Sequence, residues 1–163
     1  MLFRSLRTIA STATGVGGSD TITGDDGDDI VIGGAAGDTI AGNLGNDLLL
    51  GDEGTITLQG GVLMAVVSTN AGTGGADSIT GDEGNDTIVG GAYGDTLQGG
   101  VGNDLILGDN GQFDYVAGDL RTIASTASGV GGSDTITGDD GDDIVIGGAA
   151  GDTIAGNVGN DLL

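Results

Sequence analysis

The chain has 163 residues and a formal net charge of −22, with 38 glycines and no cysteine, histidine or proline. Such an acidic surface excludes nucleic acids and anionic membranes as natural partners, because both require a basic surface. The lack of cysteine excludes disulfides and thiolate metal sites, and no apolar run approaches the length of about 18 residues that would allow membrane insertion. Because only 2% of the residues are aromatic, bulky side chains cannot fill a wide core.

The chain starts with Met1-Leu2-Phe3-Arg4, which looks like the beginning of a signal peptide. Residues 3–14, however, match residues 117–128. We therefore interpret the N-terminal segment as the end of a repeat unit and not as a targeting peptide. By the same comparison the C-terminus falls inside a unit, so the chain is expected to be a slice of an array that is open at both ends.

The repeat unit is 57 residues long, and Gly15, Gly72 and Gly129 are its equivalent first residues. Residues 7–49 and 121–163 are the same 43 residues except at two positions. Self-similarity at a fixed period is typical of repeat architectures, in which neighbouring units stack on one another. The sequence thus predicts a single repeat array over residues 1–163.

Each unit contains four nonapeptides, each a turn rich in Gly and Asp followed by a short apolar strand, and they cover residues 15–50, 72–107 and 129–163. Position 1 is always Gly, and position 8 is always Ile, Val or Leu. Because side chains alternate along a strand, position 8 should point inward and positions 7 and 9 outward. Position 6 is always aspartate: Asp20, Asp29, Asp38, Asp47, Asp77, Asp86, Asp95, Asp104, Asp134, Asp143, Asp152 and Asp161.

The segments between the nonapeptides, residues 3–14, 51–71 and 108–128, are atypical. We interpret them as further rungs of a continuous coil, in which Ile56 and Phe113 replace the aspartate and should interrupt the aspartate ladder. The alternative is a β-hairpin that leaves the coil, with Gly-rich turns near its middle.

Aspartates at a nine-residue spacing need a counter-charge. If two nonapeptides make one coil, every second aspartate stacks on another, and like charges 4 Å apart repel by roughly 4 kcal/mol at an effective dielectric constant of 20. Calcium fits this ladder best, because it takes about six to eight oxygen ligands in a flexible geometry, whereas zinc and copper prefer histidine or cysteine. Burying one aliphatic side chain per rung recovers only about 1.5–3 kcal/mol, so the chain should be largely unfolded without calcium.

The pattern Gly-Gly-x-Gly-x-Asp-x-aliphatic-x resembles the repeats-in-toxin (RTX) nonapeptide of haemolysin-type calcium-binding proteins. The resemblance covers residues 15–50, 72–107 and 129–163. It implies an all-β fold, a right-handed parallel β-roll or β-solenoid with two short strands per coil and calcium bound in the Gly/Asp turns. It also implies a protein that is secreted, and so extracellular or on a cell surface.

In that family a turn shares an ion with the turn two nonapeptides later. The resemblance therefore implies metal-binding pairs: Asp20 with Asp38, Asp29 with Asp47, Asp77 with Asp95, Asp86 with Asp104, Asp134 with Asp152, and Asp143 with Asp161. The third nonapeptide of each unit departs from the motif, because Gly37, Gly94 and Gly151 come one place late. This departure affects the expected turn geometry and not the aspartate. The extra acidic residues Asp25, Asp26 and Asp28 and their copies are expected to be solvated.

One predicted sheet has apolar residues on its exterior as well as its interior. In the second and fourth nonapeptides, positions 7 and 9 are mostly apolar, as in Ile30/Ile32 and Leu48/Leu50. Contiguous apolar patches usually mark a contact surface, and we expect no flanking segment to be left over to cover this one. The sequence therefore predicts lateral packing against another copy, and the open ends add a route to end-to-end stacking.

These features favour a non-catalytic function, since the chain lacks His, Cys and Lys and a Gly-lined coil offers no cleft. The first hypothesis is a calcium-binding structural module that self-associates into a fibre, spacer or adhesin-like array, as a homo-oligomer or filament. The alternative is the export and folding module of a secreted toxin, protease or lipase whose catalytic part lies outside this chain. Ice binding by flat threonine faces is a third hypothesis.

Overall fold

The computed structural model describes residues 6–11, 15–126 and 129–163, so half of the predicted segment 3–14 lies outside the described residues. The described part is all β, and none of it forms a helix long and apolar enough to cross a membrane. The strands are β1 (Leu6–Ala10), β2 (Thr21–Asp26), β3 (Ile30–Ile32), β4 (Thr39–Leu44), β5 (Leu48–Leu50), β6 (Gly54–Gln59), β7 (Val62–Ser68), β8 (Ser78–Glu83), β9 (Thr87–Gly91), β10 (Thr96–Val101), β11 (Leu105–Asp109), β12 (Gly111–Val116), β13 (Asp119–Ser125), β14 (Thr135–Asp140), β15 (Ile144–Ile146) and β16 (Thr153–Val158).

The nonapeptides alternate between two parallel sheets. The first and third nonapeptides of each unit form a six-stranded sheet, here called the outer sheet, in the order β16-β14-β10-β8-β4-β2. The second and fourth form a five-stranded sheet, the middle sheet, in the order β15-β11-β9-β5-β3. Stacking continues across the unit boundary, where β4 pairs with β8 and β5 with β9.

The core between these two sheets consists of the position-8 side chains, as the alternation along the strands predicted. Ile40, Ile79 and Leu97 reach it from the outer sheet, and Leu49, Ile88 and Ile106 from the middle sheet. All six are at most 1% exposed. Position 7 of the outer sheet points to solvent, so Thr39, Ser78 and Thr96 form an exposed polar row in register.

The segments between the units are hairpins, and our interpretation of them as coil rungs was wrong. β6 pairs antiparallel with β7, and β12 with β13. With β1 they form a third sheet, the hairpin sheet, in the order β1-β6-β7-β12-β13. The physical reason is local: Gly60 and Gly61 both have positive φ, at 63° and 83°, as a two-residue hairpin turn requires.

The hairpin sheet covers the outward face of the middle sheet, which overturns the prediction that this face packs against another copy. Ile56, Val66 and Phe113 of the hairpins are 0% exposed and pack on Leu50 and Leu107 of the middle sheet, each 1% exposed. A sheet whose two faces are both buried is apolar on both, as parallel sheets usually are. The apolar exterior is therefore the second core of a three-layer protein.

This second core should be sensitive to small losses of volume. Shortening Ile56 to valine is expected to lower the free energy of unfolding in saturating calcium by about 0.5–1.5 kcal/mol. The matched change Ile9→Val, in β1 of the same sheet, should cost less because Ile9 is 42% exposed. Chemical denaturation followed by circular dichroism measures both. Equal costs at the two positions would contradict the packing described above.

Candidate calcium site

The position-6 aspartates form two ladders, each running along one edge of the two parallel sheets. The first ladder precedes the outer-sheet strands and contains Asp20, Asp38, Asp77, Asp95, Asp134 and Asp152. The second precedes the middle-sheet strands and contains Asp29, Asp47, Asp86, Asp104, Asp143 and Asp161. The interior members are at most 3% exposed, whereas Asp20 at the end of the stack is exposed.

Each rung is tied to the next by a hydrogen bond in which the backbone N–H of one aspartate donates to Oδ1 of the following one. The predicted partners Asp86 and Asp104 are joined in this way at 2.8 Å, and the other five predicted pairs show the same contact. The ladders also cross the unit boundaries, for example from Asp47 to Asp86 at 2.7 Å. The predicted interruption at Ile56 and Phe113 was wrong, because those residues belong to hairpins that leave the stack.

The second carboxylate oxygen of most ladder residues has no donor. Oδ2 is buried and accepts no hydrogen bond within the described part of the chain at nine positions: Asp29, Asp38, Asp47, Asp77, Asp86, Asp95, Asp104, Asp134 and Asp143. Buried polar atoms without partners are rare, because each costs the desolvation of that atom. A repeated set of them indicates a missing positively charged partner.

Backbone carbonyls converge on the same places. A Cβ added to Gly81 would lie 2.1 Å from Asp86 Oδ2 and 2.5 Å from the carbonyl oxygen of Gly99. The same arrangement recurs at Gly42 with Asp47 and the Gly81 carbonyl. Two acceptor oxygens therefore face the same space beside the glycine, which has no side chain to fill it. Two buried acceptors without a donor are unfavourable, and a cation between them would stabilise them.

The donor set fits calcium. Within residues 6–11, 15–126 and 129–163, no three acidic side chains come close enough to hold an ion on their own. The carboxylates instead come as stacked pairs, so further ligands have to be backbone carbonyls of the Gly-rich turns. Mixed carboxylate and carbonyl oxygens in flexible turns are typical of calcium sites.

The turns owe their shape to residues that tolerate a left-handed backbone. In the second and fourth nonapeptides, position 2 is Asp or Asn with φ near 70°, as at Asp82 (74°) and Asn43 (75°), except for Gly100 with φ 111°. Asp and Asn are the non-glycine residues that adopt this conformation most readily. The third nonapeptide differs as predicted: at position 4, Tyr93 has φ 73° where Gly84 has 134°. Its Asp95 nevertheless keeps its place in the first ladder.

The prediction that Gly72 is the first residue of its nonapeptide was wrong. Gly72, the first residue of its nonapeptide by sequence, would contact nothing within 4 Å through an added Cβ. Gly51 instead takes the position-1 place, since its Cβ would lie 2.2 Å from Asp77 Oδ2. The hairpin is therefore inserted inside a calcium turn, between position 1 and the rest of the loop, and Gly108 and Asp134 repeat this arrangement.

Each hairpin insertion is held to the turns by one aspartate that the sequence analysis did not single out. Asp52 is 2% exposed and accepts backbone hydrogen bonds from Gly75 (3.0 Å) and Ala92 (2.5 Å), in two consecutive turns of the first ladder. Asp109 does the same with Gly132 and Ala149. Both follow a position-1 glycine directly, but so do Asp25, Asp82 and Asp139, so this place does not distinguish them in the sequence.

Asp28 was expected to be a solvated turn residue. It is exposed, but its Oδ1 accepts hydrogen bonds from the backbone (2.8 Å) and side chain (3.1 Å) of Asn46. These bonds lower the pKa of Asp28. Position 5 thus forms a third, solvent-facing ladder of Asn and Asp along the second edge, continuing through Asn85 and Asn103.

In the absence of a cation, the buried ladder aspartates have raised pKa values. Burial raises the pKa of Asp95 to about 9, of Asp77 and Asp104 to about 7, and of Asp86 and Asp134 to about 6. Neighbouring carboxylates raise these pKa values further, and the backbone N–H donated by the preceding rung offsets part of the increase. Folding therefore competes with ionisation in calcium-free protein.

The calcium-free chain is accordingly expected to gain β-structure as the pH falls. A carboxylate with a raised pKa binds protons more tightly when folded, so its contribution to stability is present below its ordinary pKa of 3.8 and is lost as the pH rises through about 6 to 9. Circular dichroism of dialysed, calcium-free protein between pH 4 and pH 9 measures this. In saturating calcium the dependence should reverse, because protons displace the metal. More β-structure at pH 9 than at pH 4 in the calcium-free sample would contradict the burial of these carboxylates.

Comparison with known families agrees with this geometry. A family model described as "RTX calcium-binding nonapeptide repeat (4 copies)" matches residues 14–49, 32–55, 71–92, 89–112 and 128–163, which together make up more than half of the chain. A search of curated proteins found no match. The matched ranges contain both aspartate ladders and leave out most of each hairpin.

Proposed function

Because this chain belongs to the family of RTX calcium-binding nonapeptide repeats, whose repeats bind calcium ions, we propose that it is a secreted structural module that folds when it binds calcium. The observation that carries the proposal is the set of buried Oδ2 atoms without donors along both ladders. We assign the metal ligands to the twelve ladder aspartates and to carbonyl oxygens of the turns they stack on. Bound calcium supplies there the positive charge that lets stacked carboxylates remain ionised.

The fold we propose for the parallel part is a right-handed β-roll in which each coil contributes one strand to the outer sheet and one to the middle sheet. The regular alternation of β2, β3, β4 and β5 between the two sheets supports it. So does the strong preference for right-handed crossovers between parallel strands of one sheet.

The calcium concentration that such modules require supports secretion. Extracellular calcium modules bind with dissociation constants of about 10⁻⁴–10⁻³ M, a concentration that an external medium supplies and a cytosol does not. RTX repeats usually belong to secreted proteins, and a chain that stays unfolded until it meets calcium is suited to crossing a membrane before it folds.

End-to-end association is the second part of the proposal. The outer sheet ends at β2 on one side and β16 on the other, and these strands belong to first and third nonapeptides. Inside the chain such strands pair directly, as β8 does with β4 in the register Ser78↔Thr39. Pairing β16 of one copy with β2 of the next would repeat this register and continue both aspartate ladders, giving an extracellular fibre, spacer or adhesin-like array.

Sedimentation velocity combined with circular dichroism, in millimolar calcium and then in chelator, tests both parts. We expect a disordered monomer in chelator, and a β-rich species whose size grows with protein concentration in calcium. A native-like spectrum in chelator would overturn calcium-dependent folding. A β-rich monomer at every concentration would overturn the end-to-end part alone, and would favour the alternative that these repeats serve the export and folding of a catalytic part outside this chain.

A further inference from the structure

Neighbouring hairpins in the hairpin sheet are joined edge to edge. β7, the second strand of one hairpin, pairs antiparallel with β12, the first strand of the next, with Val66 opposite Phe113. β1 pairs in the same way with β6, with Ile9 opposite Ile56. The second strand of a hairpin therefore has two edges, one for its own hairpin and one for a strand that arrives from elsewhere.

The last strand of the sheet, β13, has this second edge free. Leu120–Ala124 repeats the sequence of Leu6–Ala10 residue for residue, and β13 pairs only with β12 among the described residues. The same five residues thus occur twice, once with a strand paired to this edge and once without. The pairs β1–β6 and β7–β12 have the same register. By analogy, the residue of an arriving strand that corresponds to Ile56 or Phe113 would lie opposite Ile123.

A serine marks this edge in every unit. Ser11 Oγ accepts a hydrogen bond from the backbone N–H of Gly54 (3.2 Å), and Ser68 Oγ accepts one from that of Gly111 (2.7 Å). Each of these glycines opens the arriving strand. Ser125 is the third such serine, and it is exposed. Its hydroxyl donates to the Asn110 carbonyl oxygen of its own hairpin at 3.4 Å, which leaves a lone pair of Oγ to accept the N–H of an arriving glycine.

The backbone of Ser125 has the matching orientation. Ser11 N–H donates to the Gly54 carbonyl oxygen at 3.1 Å. Directly after β13, the N–H of Thr126 donates to the Asn110 carbonyl oxygen of its own hairpin at 2.9 Å. Since successive residues of an antiparallel strand direct their N–H groups to opposite sides, the N–H of Ser125 points to the free edge.

The apolar surface beside this edge is incompletely covered. Ile123, at the place that Val66 holds in the preceding hairpin, is only partly buried. Ser125 and Ile146 line an open groove together with Ala149. An arriving strand would place an apolar side chain over Ile146, as the hairpins do over the earlier middle-sheet residues.

We propose that the free edge of β13 is a strand-addition site for a hairpin of the same repeat type. The arriving strand begins with a glycine, which bonds Ser125, and carries apolar residues two and four places later, as Gly54-Thr55-Ile56-Thr57-Leu58 does. A folded second copy cannot supply it, because its β6 and β12 are already paired on both edges. The ligand is therefore a hairpin segment that is not docked on its own sheets.

A fluorescein-labelled peptide of residues 51–71, titrated with the whole chain in millimolar calcium, tests this by fluorescence anisotropy. We expect saturable binding. A control peptide with Ile56→Asp and Leu58→Asp should not bind, because its apolar contacts are replaced by charge. Equal binding of the two peptides would overturn the proposal.

Variants of the chain locate the site. Ser125→Pro removes both the outward N–H and the hydroxyl while leaving the pairing to β12 intact, since proline is tolerated on a free edge, and it should weaken binding at least about tenfold. Ser125→Ala should weaken it about two- to tenfold, and Thr135→Ala, on the exposed face of the outer sheet, should have no effect. All three should keep the calcium-dependent circular dichroism spectrum. Undiminished binding by Ser125→Pro would overturn the proposal, as would a dimer of the chain that forms through this edge without peptide.

Discussion

Replacing Asp86 with asparagine is expected to raise the calcium concentration for half-maximal folding by about tenfold or more. Asp86 is 1% exposed, its Oδ1 accepts the N–H of Asp47, and its Oδ2 has no donor. Asparagine keeps one oxygen for the hydrogen bond but puts an amide NH₂, which cannot bind a cation, in the place of Oδ2. The calcium-free chain should not lose structure, because the change also removes a buried charge.

A calcium titration followed by circular dichroism measures this shift, and Asp82→Asn is its matched control. Asp82 belongs to the same nonapeptide but is exposed at position 2, with φ 74°. Asn43 occupies the equivalent place with φ 75°, so the substitution fits the backbone. We expect its midpoint to change less than about twofold. Equal shifts in the two variants would show that total charge, and not the ladder, governs calcium binding.

Changing Gly81 to alanine is expected to prevent or greatly weaken folding in calcium. The new Cβ would lie 2.1 Å from Asp86 Oδ2 and 2.5 Å from the Gly99 carbonyl oxygen, and contacts this short force the backbone to move. Overpacking of this kind costs about 1–3 kcal/mol, and here it also displaces two oxygens that we assign to the metal. Loss of both calcium affinity and thermal stability should follow.

Gly72→Ala provides the comparison. Gly72 occupies the same position of the sequence motif, but an added Cβ would contact nothing within 4 Å. Thermal unfolding in saturating calcium should therefore show little change for Gly72→Ala and a large decrease for Gly81→Ala. Similar decreases in both variants would contradict the finding that Gly51 replaces Gly72 in the turn.

Gly72 and Gly81 hold the same position of the sequence motif, and the sequence alone does not predict that their surroundings differ. The nonapeptide pattern locates every ladder aspartate, and each predicted pair inside a unit is joined by a hydrogen bond. It does not show that the chain can leave a turn after Gly51, form a hairpin and return to the same turn. Where the hairpin interrupts the turn, the carboxylate of Asp52 accepts hydrogen bonds from the backbone of two turns. A single aspartate of this kind carries no distinctive signal in an aspartate-rich sequence.

The apolar face of the middle sheet gives a second example. Its composition correctly indicated a covered surface, but the proposed cover was another copy. The hairpins supply it instead, because Ile56 and Phe113 face the sheet when their strands pair antiparallel. Apolar residues show that a surface is buried and not what buries it, since hydrophobic burial has no direction.

By itself the sequence determined the repeat period, the all-β class, the inward position 8, the two sets of aspartates and the calcium chemistry. These follow from local rules: side chains alternate along a strand, and turns need Gly, Asn or Asp. Only the tertiary structure decided that the ladders run unbroken across the units, that the hairpins form a third layer, and that β13 is the last strand of that layer among the described residues. Those properties depend on contacts between residues 39 or more positions apart, such as Asp47 with Asp86, and no local pattern encodes which distant strand arrives.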